Sequence, residues 1–148
     1  TTYMYAYSGE HYKIADKVRY INNELYSDEP DGLSGNEDCG QMSAWYILSS
    51  MGFYPVNPSN GAYVFGSPLF DEVSLNIPGQ NKFKISAKNN SDENIYIQSV
   101  SLNGEDYKYS YITHKQILKG GELKFVMGPN PNKNFGTEKK YRPKSIVY

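Results

Sequence analysis

The sequence predicts an α+β fold, in which a helical segment is followed by a small antiparallel β-sandwich. Two patterns predict it. Apolar residues recur at helical spacing in the first third of the chain, and apolar and polar residues alternate with a period of two in much of the remainder. Half-polar alternation with short connections is typical of antiparallel sheets that have one solvated face. We therefore divide the chain into a helical region, 1–54, and a β region, 55–148.

Three helical segments are predicted in the helical region. Residues 3–7 form the last turn of a helix that Gly9 ends, since glycine readily adopts the left-handed conformation that closes a helix. A second helix is predicted from about residue 10 to residue 26, because four apolar residues fall on one stripe: Ile14, Val18, Ile21 and Leu25. A third helix is predicted from about residue 40 to residue 51. It is apolar nearly all round, so we expect it to be buried on most sides.

Strands are predicted first around a hairpin. Residues 72–77 and 82–87 alternate between apolar and polar side chains on either side of a Pro-Gly-Gln-Asn turn. Another strand begins near Ile95, and Asn103-Gly104 gives a strong turn signal after it.

Further strands are predicted towards the end of the chain. A late strand covers residues 123–127 and a closing strand covers residues 145–148. Tyr107, Tyr109 and Tyr111 alternate along the chain, which predicts that they share one face of a strand.

Length and charge limit the function classes. A chain of 148 residues builds one ordinary domain or two small ones. Its 15 Lys and Arg against 16 Asp and Glu give a net charge of −1, so no electrostatic footprint for nucleic acid is present. No apolar run reaches the ~18 residues that a membrane span needs. The chain starts at Thr1 without an initiator methionine or a basic leader, so we expect it to be a piece of a longer protein.

Histidine and cysteine usage argues against a metal site of those residue types. His11 and His114 lie far apart, and neither has a carboxylate or cysteine at ligand spacing. Cys39 is the single cysteine, which excludes an internal disulfide framework. Since no basic residue adjoins it in sequence to activate its thiol, we predict Cys39 to be a buried small side chain.

The acidic run at residues 35–46 carries the strongest chemical signal. Glu37 and Asp38 lie between Gly35 and Gly40, immediately before the apolar third helix. Such a turn can present side chains to a cavity, and the following helix holds them in place. Because orphan N–H groups at a helix start favour nearby anions, a carboxylate there stays ionised, as a general base requires.

Each of these carboxylates has a plainer interpretation. Asp38 with Gln41 fits a capping box, and a capping residue can also face a cavity, so the two roles are compatible. Glu37 can be a solvated loop carboxylate. Adjacent residues rarely span the ~6.5–9.5 Å between the two carboxyl groups of an inverting glycosidase. If the site is glycosidic, its second carboxylate therefore lies elsewhere.

The stretch at residues 31–46, followed by Gly-Phe-Tyr-Pro at residues 52–55, closely resembles glycoside hydrolase family 92. The resemblance continues at family-like spacing through further motifs: Gly66-Ser67-Pro68-Leu69-Phe70-Asp71, Asn94-Ile95-Tyr96-Ile97-Gln98-Ser99, Leu102-Asn103-Gly104, His114, Gly120-Gly121 and Met127-Gly128. It departs from the family at Tyr12, where the family often has tryptophan.

The resemblance implies a calcium-dependent, inverting exo-α-mannosidase, many of whose relatives are α-1,2-mannosidases involved in glycan, including N-glycan, degradation. It implies an (α/α)6 barrel whose last helices are residues 1–54, with the β region packed against it. On this basis Asp38 is the expected general base, and Glu37 and Gln41 are expected to bind substrate in the same pocket. The general acid and most calcium ligands are expected in a missing N-terminal part of the polypeptide.

The resemblance also implies a mannose-containing glycan as partner and a periplasmic, cell-surface or secreted location, and the chain alone is expected to be inactive. Two alternatives remain. One is a non-catalytic carbohydrate-binding or scaffold domain, in which the tyrosines of the β region would matter and Asp38 would only cap its helix. The other is a glycosidase or phosphorylase from a different α/α-barrel family.

Overall fold

The computed structural model describes residues 2–79 and 81–145. Its helical elements are a 3-10 turn at Thr2–Met4, α1 at Tyr5–Ser8, α2 at Lys13–Glu24, α3 at Gln41–Ser50, a 3-10 turn at Pro58–Asn60, α4 at His114–Leu118 and a 3-10 turn at Lys139–Tyr141. Its strands are β1 at Phe53–Asn57, β2 at Ala62–Phe65, β3 at Glu72–Ile77, β4 at Asn81–Lys88, β5 at Tyr96–Leu102, β6 at Glu105–Asp106, β7 at Tyr111–Thr113 and β8 at Gly121–Gly128. The predicted α+β class is confirmed.

Two sheets enclose the main core. A three-stranded antiparallel sheet has the order β1-β2-β7, and a five-stranded sheet has the order β3-β4-β8-β5-β6. Phe65 of the first sheet and Phe125 of the second meet edge to face, with ring centroids 5.2 Å apart. Both rings are fully buried, so burial of apolar side chains from both sheets holds the layers together.

The predicted hairpin is confirmed, because β3 and β4 pair antiparallel from Glu72–Ser86 to Ile77–Asn81. The turn at Asn103-Gly104 is also confirmed, since both residues have positive φ and connect β5 to β6.

The expectation of purely antiparallel sheets is wrong at one place. β4 and β8 pair in parallel, with β8 between β4 and β5. Alternation along a strand identifies its buried face but not its neighbour or direction, and here more than 30 residues separate the two paired strands.

The tyrosine alternation does not form a strand face. Tyr107 and Tyr109 lie in the connection before β7, and only Tyr111 lies in that strand. Tyr107 packs on Phe65, while Tyr109 is 38% exposed and contacts Tyr111 edge to face. The predicted closing strand at 145–148 falls, except for Ser145, outside the described residues.

A second, smaller core joins the helices to the first sheet. Ile14 and Val18 of α2 are fully buried against Tyr3, Ala6 and Val64. Gly9, with φ 83°, ends α1 as predicted. The apolar stripe of the second helix is therefore confirmed, although α2 is shorter at both ends than its pattern predicted.

The third predicted helix, α3, is not buried on most sides. Ser49 and Ser50 are buried, Trp45 and Tyr46 are half-buried, and Ile47 is 57% exposed. Its apolar composition predicts that nearly every face of the helix is buried. The described residues, however, pack against only one side of α3. The division into domains at 1–54 and 55–148 stays a prediction. No helix among the described residues is long and apolar enough to cross a membrane.

Candidate active site

The acidic loop runs from the end of α2 to the start of α3, and backbone hydrogen bonds tie its base together. Ser34 donates its N–H to the carbonyl of Leu25 at 3.2 Å, and Tyr26 and Leu33 form an isolated antiparallel bridge. The N–H of Ser27 donates to the carbonyl of Gly32 at 2.9 Å. Residues 28–31 therefore form a turn that backbone hydrogen bonds close. These bonds also hold the backbone that continues to Glu37 and Asp38.

Three consecutive residues then adopt left-handed backbone conformations. Asp38, Cys39 and Gly40 have φ angles of 50°, 59° and 90°. Glycine accepts this region freely and aspartate tolerates it, whereas cysteine does so at a cost of about 1–2 kcal/mol. The left-handed run turns the chain into α3 and leaves Asp38 and Cys39 exposed. The prediction that Cys39 is buried is therefore wrong, because the loop geometry directs it outward.

The capping box predicted for Asp38 and Gln41 is not formed. Gly40 is the N-cap of α3 and has no side chain to offer. The N–H of Gln41 donates instead to the backbone carbonyl of Asp38, at 3.2 Å. Capping by an aspartate side chain normally needs extended backbone at that residue, and Asp38 is left-handed. Its carboxylate is therefore not committed to the helix and remains exposed.

Glu37 supplies the capping interaction that Asp38 does not. Its Oε1 accepts a hydrogen bond from the N–H of Ser43 at 3.2 Å, and its backbone carbonyl accepts from Met42 at 3.3 Å. The Oε2 atom is buried, and among the described residues it has no hydrogen-bond partner. Glu37 and Asp38 thus differ in exposure and in their contacts with α3, although they are adjacent in sequence.

Gln41 reaches a different part of the surface, beside β1. Its Nε2 donates to the hydroxyl of Tyr54 at 3.4 Å. Gln41 and Tyr54 line a cavity of about 190 Å³ together with Trp45 and residues of the first turn. Neither Glu37 nor Asp38 lines this cavity. The structure therefore brings the three predicted site residues into one loop but directs their side chains to different places.

Tyr26 is a residue of this region that sequence reasoning missed. Its hydroxyl donates to the carbonyl of Met42 at 2.9 Å, and its ring stacks on Trp45 with centroids 5.9 Å apart. Burial, and next the negative charge of Glu37, raise the pKa of Tyr26, so it stays a neutral donor at ordinary pH. No local pattern distinguishes it, because it follows a helix end and carries no motif.

A larger cavity of about 530 Å³ lies between the first part of the loop and α3. Tyr26 and Tyr46 give it aromatic walls, and Asp28, Glu29 and Ser43 add polar groups. The described residues thus place two open cavities beside the acidic loop, one on each side of α3.

The described residues do not group side-chain ligands for the calcium that the resemblance implies. Within residues 2–79 and 81–145, no three His, Cys, Asp or Glu side chains group closely enough to hold a metal ion. Calcium in proteins takes six to eight oxygen ligands, with carboxylates prominent among them. The described side chains therefore do not make up a complete carboxylate-based calcium site.

Comparison with known proteins points to one family. Residues 1–129 match the model of the glycosyl hydrolase family 92 catalytic domain. A curated protein of Arthroderma benhamiae, named as an uncharacterized secreted glycosidase, is 31% identical over 98% of this chain and 19% of its own length.

Solved structures give the same result. A family GH92 α-mannosidase from Bacteroides thetaiotaomicron superposes with a TM-score of 0.92 at 38% identity, over 99% of this chain and 20% of its own. An inverting mannosidase of family GH92 from the same organism gives a TM-score of 0.91 at 40% identity, over 97% and 20% of the two chains. The chain therefore spans about one fifth of the length of the relatives it matches.

Proposed function

The chain belongs to glycosyl hydrolase family 92, and on that premise we propose that it supplies the general base of a calcium-dependent, inverting exo-α-mannosidase. The proposed substrates of the full-length protein are mannose-containing glycans with α-1,2-linked terminal mannose, N-glycans among them. The relatives named as α-mannosidases, one of them as inverting, support the reaction class. The relative named as secreted supports an extracellular or periplasmic location.

The exposure of Asp38 is the observation that carries the proposal. A general base must reach the water that it activates. Asp38 lies in the family-matched region, carries an exposed side chain and does not cap α3. Because its carboxylate makes no capping bond to α3 within the described part of the chain, both of its oxygens are free to accept a proton from water.

In the proposed mechanism Asp38 accepts a proton from water while the water oxygen attacks the anomeric carbon of mannose. A carboxylic acid from outside this chain donates a proton to the leaving oxygen on the other side of the sugar ring. A single displacement of this kind inverts the anomeric configuration. Because the second carboxyl group must lie ~6.5–9.5 Å away, Glu37 is not proposed for that role.

Gln41 is proposed to bind substrate, because it is exposed beside a cavity walled by Trp45 and Tyr54. For Glu37, Oε1 would be the atom that meets a sugar hydroxyl, since Oε2 is buried among the described residues, and the same Oε1 accepts from the N–H of Ser43. Calcium is proposed to be held by oxygen ligands outside this chain, and none of the described residues is assigned to it. Helices α1–α3 are proposed as the last helices of an (α/α)6 barrel.

The test is Asp38→Asn in the full-length protein, with Asp106→Asn on β6 as the matched control. Asparagine keeps the size of the side chain but cannot accept the proton. We expect kcat for an α-mannoside to fall by about 10²–10⁴-fold in the first variant and to stay unchanged in the second. A loss of only a few fold, at unchanged stability, would favour the non-catalytic alternative for this residue.

A further inference from the structure

The side chain of Glu37 folds back over the left-handed residues that follow it. Its Oε1 reaches the N–H of Ser43, and its backbone carbonyl accepts from the N–H of Met42. A Cβ added to Gly40 would lie 3.9 Å from the same Oε1 atom. Residues 38–40 therefore lie in a turn that two hydrogen bonds close. One joins the backbone carbonyl of Glu37 to α3, and the other joins the carboxylate of Glu37 to α3.

These two hydrogen bonds supply contacts that the loop and the start of α3 otherwise lack. The first N–H groups of a helix have no partner within the helix, and Gly40 at the N-cap offers no side chain to satisfy them. Cys39 holds a left-handed conformation that costs it about 1–2 kcal/mol, so a free loop would favour another backbone conformation at this residue. Something outside residues 38–40 must therefore maintain the turn, and Glu37 contacts α3 on the far side of it.

Charge strengthens the same contact. The N-terminus of α3 carries the positive end of its helix dipole, and the carboxylate of Glu37 lies against its first turn. The Oε2 atom is buried and, among the described residues, unpaired, so the side chain is not simply solvated. The plainer interpretation of Glu37 as a solvated loop carboxylate does not hold for this arrangement.

We infer that Glu37 is a positioning residue for Asp38: its carboxylate clamps the 38–40 turn onto α3 and so fixes the direction of the neighbouring base. The inference rests on the proposed function, because it assigns Glu37 a role through Asp38. It separates the two adjacent acids, one presented to substrate and the other turned to the helix. It also explains why this turn holds two consecutive left-handed residues that are not glycine.

The test compares three substitutions of Glu37 in the full-length protein. Glu37→Gln keeps an oxygen that accepts from Ser43, Glu37→Ala removes the clamp, and Glu37→Asp keeps the charge but is one methylene too short. Thr113→Ala is the matched control, because it removes the capping box of α4, which is not part of the acidic loop. Asp38→Asn is measured in parallel.

Positioning predicts a particular kinetic pattern. A misplacement of about 1 Å can cost 10²-fold in rate, so Glu37→Ala should lower kcat by about 10–100-fold with KM within about twofold. The kcat of Glu37→Gln should lie within about threefold of the kcat of the unsubstituted protein. Thr113→Ala should lower thermal stability but leave kcat unchanged. Hydrogen exchange of the segment 37–43 should be faster in Glu37→Ala than in Glu37→Gln.

Other outcomes overturn the inference. If Glu37→Gln and Glu37→Ala both raise KM, the carboxylate contacts substrate. If both lower kcat equally, Glu37 acts through its charge or proton and not as a clamp. If Glu37→Ala does not fold, Glu37→Asp decides, and full kcat in that variant would count against the clamp. Retained activity in Asp38→Asn would refute the base assignment itself, which separates failure of the proposed function from failure of this inference.

Discussion

Arg19 of α2 donates a hydrogen bond from Nε to the Oγ of Ser67 at 2.9 Å, and this contact links the helical region to the segment between β2 and β3. A second guanidinium nitrogen donates to the carbonyl of Pro68 at 2.6 Å and to Oδ1 of Asn90. Arg19 is 7% exposed, so these neutral acceptors replace water around a buried charge. Since α2 precedes the acidic loop, this link also fixes one end of the candidate site.

We predict that Arg19→Met destabilises the fold by about 2–4 kcal/mol, because three acceptors, the buried Ser67 hydroxyl among them, lose a charged donor. The free energy of unfolding can be measured by urea titration. Lys17→Met is the matched control, since Lys17 is exposed on the same helix. Equal stability of the two variants would contradict the structural role of Arg19.

The buried imidazole of His11 is expected to make the free energy of unfolding depend on pH. Burial lowers the pKa of His11 to about 4, and the hydrogen bond between its Nε2 and the carbonyl of Phe65, 2.9 Å long, opposes this only in part. The unfolded chain binds a proton near pH 6.5 and the folded chain only near pH 4. The unfolded state therefore binds more protons between these values, and stability falls as pH decreases through that window.

The size of this effect follows from the two pKa values. A difference of about 2.5 units corresponds to about 3 kcal/mol, lost progressively from about pH 6.5 to pH 4. His11→Gln keeps a donor for the carbonyl of Phe65 but cannot titrate. Its stability should change less over the same window, as measured by thermal unfolding at several pH values. Identical pH slopes in the two proteins would exclude His11 as the cause.

Substitution of Gln41 or Tyr54 is expected to weaken substrate binding. We expect Gln41→Ala to raise KM for an α-mannoside by about tenfold, the equivalent of one hydrogen bond of ~1.4 kcal/mol, with little change in kcat. Tyr54→Phe removes only the hydroxyl that accepts from Gln41 at 3.4 Å, so it should raise KM by less. A fall in kcat at constant KM would instead indicate that Gln41 acts in the transition state.

Metal removal tests the calcium proposal. We expect dialysis of the full-length protein against a chelator to abolish turnover, and added calcium to restore it. Magnesium should restore it poorly, because it demands a smaller octahedral site and dehydrates reluctantly. Full activity after exhaustive chelation would refute calcium dependence.

The chain by itself is predicted to be inactive. Both carboxyl groups of an inverting glycosidase must act together, and only one is proposed within these 148 residues. The purified chain should therefore show no turnover of an α-mannoside above the buffer rate. Measurable α-mannosidase activity, absent in the Asp38→Asn chain, would contradict this and place a complete site within the chain.

The sequence by itself determined the features that depend on near neighbours. The stripe through Ile14 and Val18, the glycine stop at Gly9 and the turn at Asn103-Gly104 follow from spacing and backbone preference, which act within a few residues. The α+β class follows from the change of period along the chain. The acidic loop was also identifiable, because two carboxylates between glycines at a helix start are a local pattern.

Only the tertiary structure decided how those residues are used. The parallel pairing of β4 with β8 and the exposure of Ile47 depend on which distant segments meet, which local alternation does not encode. At the acidic loop, local preference predicted that Asp38 caps the helix, yet the left-handed backbone gave that contact to Glu37. The physical reason is that the backbone of the closed turn sets the direction in which each side chain points. A pattern of residue types does not specify that direction.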